Sequence, residues 1–172
     1  MKVKSILISQ PEPKNGRSPY YELSDKYKIK VDFRPFIHVE SVTPKEFRRN
    51  KVKIDDHTAV IFTSRTGIET FFKMVKEMRT EVSPEMKYFC TTEAVALYLQ
   101  KFTTFRKRKV FYPKSRDKTL KQLIGKHKKE KYLFTRSDVC KNDLPAYMRD
   151  NKIAFSEAIL YHTIMSDLSD LK

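Results

Sequence analysis

Short apolar runs alternate with helical patterns along most of this chain, and this alternation limits its possible folds more than any other feature. Most of the runs are rich in β-branched or aromatic residues, which is typical of β-strands. They predict strands at residues 3–8, 36–42, 59–62, 88–90, 110–112, 132–134 and 154–161. Because the strands are nearly continuous apolar runs rather than in/out alternations, they indicate a parallel sheet covered on both faces.

The segments between these strands carry the periodicity of amphipathic helices. In the clearest of them, residues 65–78, one face is formed by Ile68, Phe71, Phe72, Val75 and Met78. Weaker helical patterns occur at residues 94–99, 120–124 and 144–148. The alternation of strand and helix predicts an α/β, doubly wound fold, in which ligands bind beyond the carboxyl ends of the strands.

The size and charge of the chain narrow its class without identifying its ligand. A length of 172 residues with 40% hydrophobic content is enough for one full domain plus part of a second. Thirty-six Lys and Arg residues against 21 Asp and Glu residues give a formal charge of +15. This excess favours an anionic partner, which the charge alone leaves open as nucleic acid, an acidic membrane surface or a polycarboxylate.

Several kinds of site are disfavoured by motifs that the sequence lacks. Cys90 and Cys140 have neither metal-ligand spacing nor a disulfide framework, so both are expected to be reduced thiols. With only Gly16, Gly67 and Gly125, the chain has no glycine-rich nucleotide motif, so nucleotide cofactors are disfavoured. No run of about eighteen apolar residues occurs, so we expect a cytoplasmic protein that does not span a membrane.

Hydroxyl side chains follow two of the predicted strands where helices begin. Thr63 and Ser64 separate the strand at 59–62 from the clearest helix, so Ser64 is expected to cap that helix. The unpaired N–H groups at this helix start, beside Arg65, also attract anions, so capping and carboxylate binding are compatible interpretations. Thr91 and Thr92 repeat the arrangement after the next strand, where capping is the favoured interpretation and ligand binding the alternative.

Further candidates lie at two later strand ends. Arg136 and Ser137 follow the predicted strand at 132–134, and the Arg136 guanidinium could bind a ligand carboxylate or pair with Asp138. Tyr161 ends the predicted strand at 154–161, where its phenol is either a proton donor at the mouth of the sheet or a partly buried core group. None of the four histidines stands in a triad order with a serine and an acid, so none is assigned a role.

Three segments of the chain, taken in order, match the motifs of one enzyme family. The segment Ile6-Leu7-Ile8-Ser9-Gln10-Pro11-Glu12-Pro13 resembles an opening strand with an Arg-Pro-Glu-Pro sequel, although Gln10 stands where the arginine is usual. A Val-Val-Phe-Thr-Ser strand and turn is matched by Val60-Ile61-Phe62-Thr63-Ser64, and a closing Tyr-x-Thr by Tyr161-His162-Thr163. Together these motifs resemble those of the uroporphyrinogen-III synthases.

The resemblance implies two doubly wound parallel-sheet domains joined by a two-stranded linker, the first built from both ends of the chain. It assigns residues 1–35 to the first domain, 36–42 to a linker strand, 43–163 to a complete second domain and 164–172 to the return linker. On this interpretation the first domain is incomplete, and the chain alone is expected to be weakly active or inactive.

The resemblance also implies a reaction. Hydroxymethylbilane, a polycarboxylate, loses its hydroxyl as water, its ring D inverts, and the macrocycle closes to uroporphyrinogen III without a metal or organic cofactor. Tyr161 matches the family's closing tyrosine and is the catalytic candidate, whereas the substrate-binding candidates are Thr63, Ser64, Arg65, Thr91, Thr92, Arg136 and Ser137. The implied protein is a monomer that receives its substrate from hydroxymethylbilane synthase, with no specific nucleic-acid or membrane partner.

Two other functions are carried as alternatives. The chain could be a module that binds an anionic ligand without turning it over. It could also bind nucleic acid through its basic clusters at residues 106–109 and 126–129, although no RNP or helix-turn-helix pattern accompanies them.

Overall fold

A computed structural model describes residues 3–13, 16, 18–115 and 119–170, and the other residues of the predicted domain ranges lie outside this description. The strands are β1 (Ser5–Ile8), β2 (Lys30–Phe33), β3 (Ile37–Ser41), β4 (Ala59–Phe62), β5 (Lys87–Cys90), β6 (Val110–Phe111), β7 (Tyr132–Ser137) and β8 (Phe155–Met165). The helices are α1 (Pro19–Tyr27), α2 (Pro44–Arg49), α3 (Arg65–Glu77), α4 (Glu93–Tyr98), α5 (Leu120–Lys126) and α6 (Asp143–Asp150). Within the described ranges, no helix has the length and apolar character needed to cross a membrane.

The chain divides into two compact units, the smaller formed by residues 1–39 and 163–172 and the larger by residues 40–162. The smaller unit contains a β-α-β arrangement in which β1 and β2 pair in parallel. Its helix α1 begins at Ser18, whose hydroxyl accepts a hydrogen bond from Tyr20 N–H at 3.3 Å, and continues with Pro19 in the first turn. Its C-cap residue is Lys28, which adopts the left-handed conformation with φ 54°.

A six-stranded sheet with the order β3-β8-β7-β4-β5-β6 forms the centre of the larger unit. Four adjacent pairs, β4–β5, β4–β7, β5–β6 and β7–β8, are parallel, which confirms the predicted doubly wound α/β class. Backbone bonds from Val42 N–H to Leu160 C=O and from Ser166 N–H to Phe36 C=O show that β3 and β8 run antiparallel. Both strands cross the boundaries between the units, which fall after residue 39 in β3 and after residue 162 in β8.

The order of the strands creates a switch point between β4 and β7. The chain passes from β4 through α3 to β5 and through α4 to β6, and then returns through α5 to β7 on the other side of β4. In open α/β sheets, such a reversal opens a crevice beyond the carboxyl ends of the two strands. The segment that follows β4 is Thr63-Ser64, so these two predicted site residues stand at this crevice.

The core lies on both faces of the sheet because β4 is buried along its whole length. Phe62 packs in the cluster that contains Ile68 and Phe71 of α3, whereas Ile61 packs in the opposite cluster with Ile124 of α5. All five side chains are at most 1% exposed, and burial of such a side chain contributes roughly 1.5–3 kcal/mol. The continuous apolar run of β4 is therefore covered on both faces, as the sequence predicted.

The sequence analysis was wrong about where two strands end. β7 continues through Thr135, Arg136 and Ser137 instead of stopping at Phe134, and β8 continues past Tyr161 to Met165. Polar side chains end an apolar run, but backbone pairing between β7 and β8 does not depend on side-chain polarity. Arg136 is consequently a strand residue rather than a loop residue, and this changes which groups its side chain can reach.

Candidate functional site

The hydroxyl groups of Ser64, which follows β4, and of Tyr161 in β8 lie next to each other. Ser64 caps α3, its Oγ accepting a hydrogen bond from Gly67 N–H at 3.0 Å, and the same Oγ lies 3.2 Å from the phenol oxygen of Tyr161. Either hydroxyl can donate in this contact, so the pair can pass a proton or stabilise a phenolate. The first turn of α3 adds the backbone N–H groups of Arg65 and Thr66, which have no acceptor within the helix, and it contains no acidic residue.

An irregularity in the β7–β8 pairing accompanies this position of Tyr161. Arg136 pairs with Ile159 but the next residue, Ser137, pairs with Tyr161, so Leu160 is an extra residue in β8. Leu160 and Tyr161, although adjacent in sequence, both pack against the core cluster that contains the buried face of α3. Bulges of this kind redirect side chains and occur next to active sites more often than elsewhere.

Thr63 and Thr91 lie together on the opposite side of the same turn. Thr91 N–H donates to Phe62 C=O at 3.1 Å, and Thr91 Oγ1 donates to Thr63 C=O, also at 3.1 Å. The backbone at Ser64 is extended, with φ −150° and ψ 163°, so adjacent side chains diverge and Thr63 does not join the Tyr161 contact. Both threonines instead line a cavity of about 610 Å³.

This cavity combines an apolar floor with polar groups. Leu120, Phe134 and Leu144 provide apolar walls, and the hydroxyl groups come from Thr63, Thr91 and Thr119. Lys121 and Lys141 supply positive charge, while Asp143 supplies one carboxylate. Concave sites with an apolar lining and a few polar groups are the usual form of small-molecule sites.

The structure does not bring Arg136 and Ser137 to either group. The Arg136 guanidinium is hydrogen-bonded to the Glu157 carboxylate, to Ser137 C=O at 3.0 Å and to Asp138 C=O at 3.1 Å. Ser137 is buried, and its hydroxyl donates to Asp138 Oδ1 at 2.7 Å. Arg136 lies within β7, and Glu157 lies on the adjacent strand β8. The Arg136 guanidinium therefore binds a carboxylate of the protein itself.

Arg65 and Thr92 also have protein partners. Thr92 caps α4 by accepting a bond from Val95 N–H at 3.3 Å, so it, and not Thr91, is the capping residue of this turn. The guanidinium of Arg65 lies 5.3 Å from the centre of the Tyr98 ring, a cation–π distance. Neither side chain lines the cavity, although both are exposed at the same end of the sheet.

The family to which this chain belongs follows from its match to a family model. The model described as uroporphyrinogen-III synthase HemD matches residues 18–172. This chain is a member of the uroporphyrinogen-III synthase family. No curated protein matches the sequence significantly.

Solved structures of uroporphyrinogen-III synthases share its fold. A mutant synthase from the extremely thermophilic bacterium Thermus thermophilus is 10% identical, with a TM-score of 0.68 over 95% of this chain and 64% of that one. A synthase from Helicobacter pylori 26695 is 14% identical, with a TM-score of 0.58 over 96% of this chain and 64% of that one. At such identities the likeness concerns the fold alone, and this chain spans about 64% of the length of these structures.

The sequence analysis assigned no role to His162, the residue next to Tyr161 in this member of the synthase family. Both nitrogens of His162 contact carboxylates, Nε2 at 2.8 Å from Glu46 and Nδ1 at 3.0 Å from Asp138. The hydrogen bonds to Glu46 and then to Asp138 raise the pKa of the imidazole. The search for a triad order could not find this arrangement, because the two acids lie 116 and 24 residues away along the chain.

Thr119 was also missed, although the sequence carries its signal. Thr119 and Gln122 form a capping box, in which Thr119 Oγ1 accepts from Gln122 N–H at 3.3 Å and Gln122 Oε1 accepts from Thr119 N–H at 2.9 Å. The spacing Thr-x-x-Gln before an apolar stretch predicts such a helix start. Across the part of the chain that the structure describes, no group of three or more His, Cys, Asp or Glu residues could hold a metal ion.

Proposed function

We propose that this chain acts in the uroporphyrinogen-III synthase reaction, in which hydroxymethylbilane closes with inversion of ring D and loss of water. The single observation that carries the proposal is the contact of 3.2 Å between Ser64 Oγ and the Tyr161 phenol at the switch point of the sheet. Membership of the family supports the same reaction. The proposal places the reaction in the cytoplasm, with substrate received from hydroxymethylbilane synthase.

Tyr161 is proposed as the proton donor of the first step. The C–O bond of the hydroxymethyl group breaks, its electron pair leaves with oxygen, and the phenol proton completes a molecule of water. Ser64 then donates a hydrogen bond to the phenolate, and the distance of 3.2 Å between the two oxygens already allows this bond. When the macrocycle closes, a proton lost from the substrate carbon restores the phenol.

The cavity is proposed to hold part of the substrate while its ends meet. Phe134 and Leu120 would contact a pyrrole ring, and Thr63, Thr91 and Lys121 would bind its carboxylates. Correct positioning of two reacting ends supplies a large share of catalysis in ring closures, because the entropy of the flexible chain has already been lost on binding. The formal charge of +15 raises the local concentration of a polyanionic substrate.

The proposal is tested by incubating the 172-residue chain with enzymatically generated hydroxymethylbilane and separating the uroporphyrin isomers after oxidation. We expect an excess of isomer III over a reaction without protein, even if turnover is slow. Formation of isomer I alone would contradict synthase activity. Measurable binding of uroporphyrinogen III without isomer III would instead favour the alternative of a binding module without turnover.

A further inference from the structure

A second cavity lies at the other end of the sheet, beside the amino ends of β5 and β6. It encloses about 190 Å³ and shares no lining residue with the candidate site. Its polar lining includes the phenol of Tyr88 and the side chains of Ser83, Thr103, Thr104, Arg106 and Lys109, and it contains no acidic lining residue. A cavity lined by cationic and hydroxyl groups can bind an anion if its positive charges are not fully neutralised by neighbouring carboxylates.

Lys109 is a buried cation in the wall of this cavity. The residue is 6% exposed, and its ammonium group donates to Pro84 C=O and, at 2.8 Å, to Glu85 Oε1. An ammonium has three N–H donors, and the structure assigns acceptors among the described residues to two of them. The third N–H can bind a further acceptor in the adjoining space, and the positive charge of the group makes an anionic acceptor the stronger one.

Glu85 provides the carboxylate that pairs with Lys109. The Glu85 side chain is 80% exposed, so it approaches Lys109 from the solvent side. Its hydrogen bond and charge interaction with Lys109, followed by the charges of Arg108 and Arg106, lower the pKa of its carboxyl group. Three cations thus surround one exposed carboxylate, which leaves the cluster positive.

A tight turn holds two of these cations on one wall. Lys109 N–H donates to Arg106 C=O at 2.8 Å, and both side chains line the cavity. The guanidinium offers several donors in a planar fork, which suits the oxygens of a phosphate group. Thr103 and Thr104 add hydroxyl donors on the same strand-to-strand connection.

We propose that this cavity binds a small tetrahedral oxyanion between Lys109 and Arg106, either free phosphate or the phosphate group of a small metabolite. A cavity volume of about 190 Å³ is large enough for a phosphate group. A dianion displaces Glu85 from the ammonium because it carries more charge than one carboxylate. The site is independent of the synthase proposal, since it lies at the opposite end of the sheet.

Calorimetric titration with inorganic phosphate, at fixed pH and ionic strength, tests the proposal on the 172-residue chain. We expect saturable binding that Arg106→Gln weakens by roughly tenfold, the loss of one charge-assisted hydrogen bond. Lys107→Gln is the matched control, because it removes the same charge from the same turn at an exposed residue that does not line the cavity. Its affinity should stay within about twofold of the parent, since screening reduces the effect of an exposed charge.

Two further variants replace Glu85, whose carboxylate competes with phosphate for the ammonium group, and Lys109, the buried cation. Glu85→Gln should tighten phosphate binding several-fold, because the competing carboxylate is removed while the fold is kept. Lys109→Met should abolish binding, and its thermal unfolding shows whether the fold is retained. The proposal is overturned if phosphate gives no saturable heat, or if Arg106→Gln and Lys107→Gln weaken binding equally.

A parallel titration with ribose 5-phosphate distinguishes the two sources of the ligand. Tighter binding of inorganic phosphate assigns the site to the free ion, and tighter binding of the ester assigns it to a phosphorylated metabolite. Either result must depend on Arg106 to support the proposal.

Discussion

The phenol oxygen of Tyr161 lies 3.2 Å from Ser64 Oγ, although 97 residues separate the two side chains along the chain. Ser64 is held by its capping bond to Gly67 N–H, and Tyr161 by the β7–β8 pairing and its extra residue. The contact therefore joins a helix start and a strand irregularity, two features that each have a local cause. It also allows a direct test of the proposed proton donor.

Tyr161→Phe is expected to reduce the rate of isomer III formation by roughly 10²–10⁴-fold, the range for loss of a general acid. The free energy of unfolding should change by less than about 1.5 kcal/mol, because one neutral hydrogen bond is lost and the ring stays. Isomer analysis and urea unfolding measure the two effects. Tyr27→Phe, at a 59% exposed residue, is the control and should change neither.

Ser64→Ala separates capping from chemistry at the same contact. Loss of the cap should lower the free energy of unfolding by about 1 kcal/mol. Ser64→Thr keeps a capping hydroxyl, so its stability and activity should both be those of the parent protein. If Tyr161→Phe retains the full rate of isomer III formation, the proposed proton donor is wrong.

Cys140 provides a chemical probe of the candidate cavity. Cys140 is exposed and lines the cavity, whereas Cys90 is buried, and that burial raises the pKa of its thiol to about 12. Iodoacetamide should therefore alkylate Cys140 in the native protein and Cys90 only after unfolding, because the thiolate is the reactive form. Peptide mass spectrometry follows each thiol.

Saturating uroporphyrinogen III, kept reduced under argon, should slow alkylation of Cys140 several-fold if the product occupies the cavity. Cys140→Ser confirms the assignment of the fast phase. An unchanged rate under saturating product would place the ligand elsewhere.

The pair formed by Arg136 and Glu157 tests whether Arg136 binds a ligand or holds the sheet. The two side chains are only 21% and 29% exposed, so loss of either partner leaves a poorly solvated charge. Arg136→Gln is expected to lower the free energy of unfolding by about 1–3 kcal/mol. Glu157→Gln and the double variant complete a cycle in which the double variant should cost less than the sum of the two single variants.

The affinity for uroporphyrinogen III should change little in Arg136→Gln, because the guanidinium is already bound to protein acceptors. Loss of affinity with unchanged stability would restore Arg136 as a ligand-binding residue. Fluorescence titration and urea unfolding of the same samples distinguish the two outcomes.

His162 should make part of the stability depend on pH. Its contacts with Glu46 and Asp138 raise the pKa of the imidazole above its ordinary value of 6.5, so the folded state favours the protonated ring. The resulting stabilisation is fully present below that ordinary value and is lost as pH rises from there through the folded pKa. Burial lowers the pKa of His57, and that histidine therefore contributes the opposite trend.

The difference in free energy of unfolding between the parent and His162→Gln isolates the contribution of His162. Urea unfolding from about pH 5.5 to about pH 9 should show this difference shrinking as the pH rises. A difference that is constant over this range would show that the ring is not stabilised by its protonation.

The sequence predicted the segment of strand, turn and helix formed by β4 and α3 well. The apolar run of β4 and the helical periodicity of α3 are local properties, and they place Thr63 and Ser64 at a turn between two buried elements. The cap at Ser64 was predictable for the same reason, since it depends on residues within one turn. α2 was missed because this helix has only six residues and buries one side chain, Phe47.

By itself, the sequence determined the α/β class, the central strands and the hydroxyl turn after β4, because periodicity and capping act over a few residues. Only the tertiary structure decided that Arg136 pairs with Glu157, that Leu160 shifts the β8 register, and that Tyr161 meets Ser64. These outcomes depend on which strands are neighbours and on the register between them. Neighbour and register are set by packing of the whole sheet, which no short segment encodes.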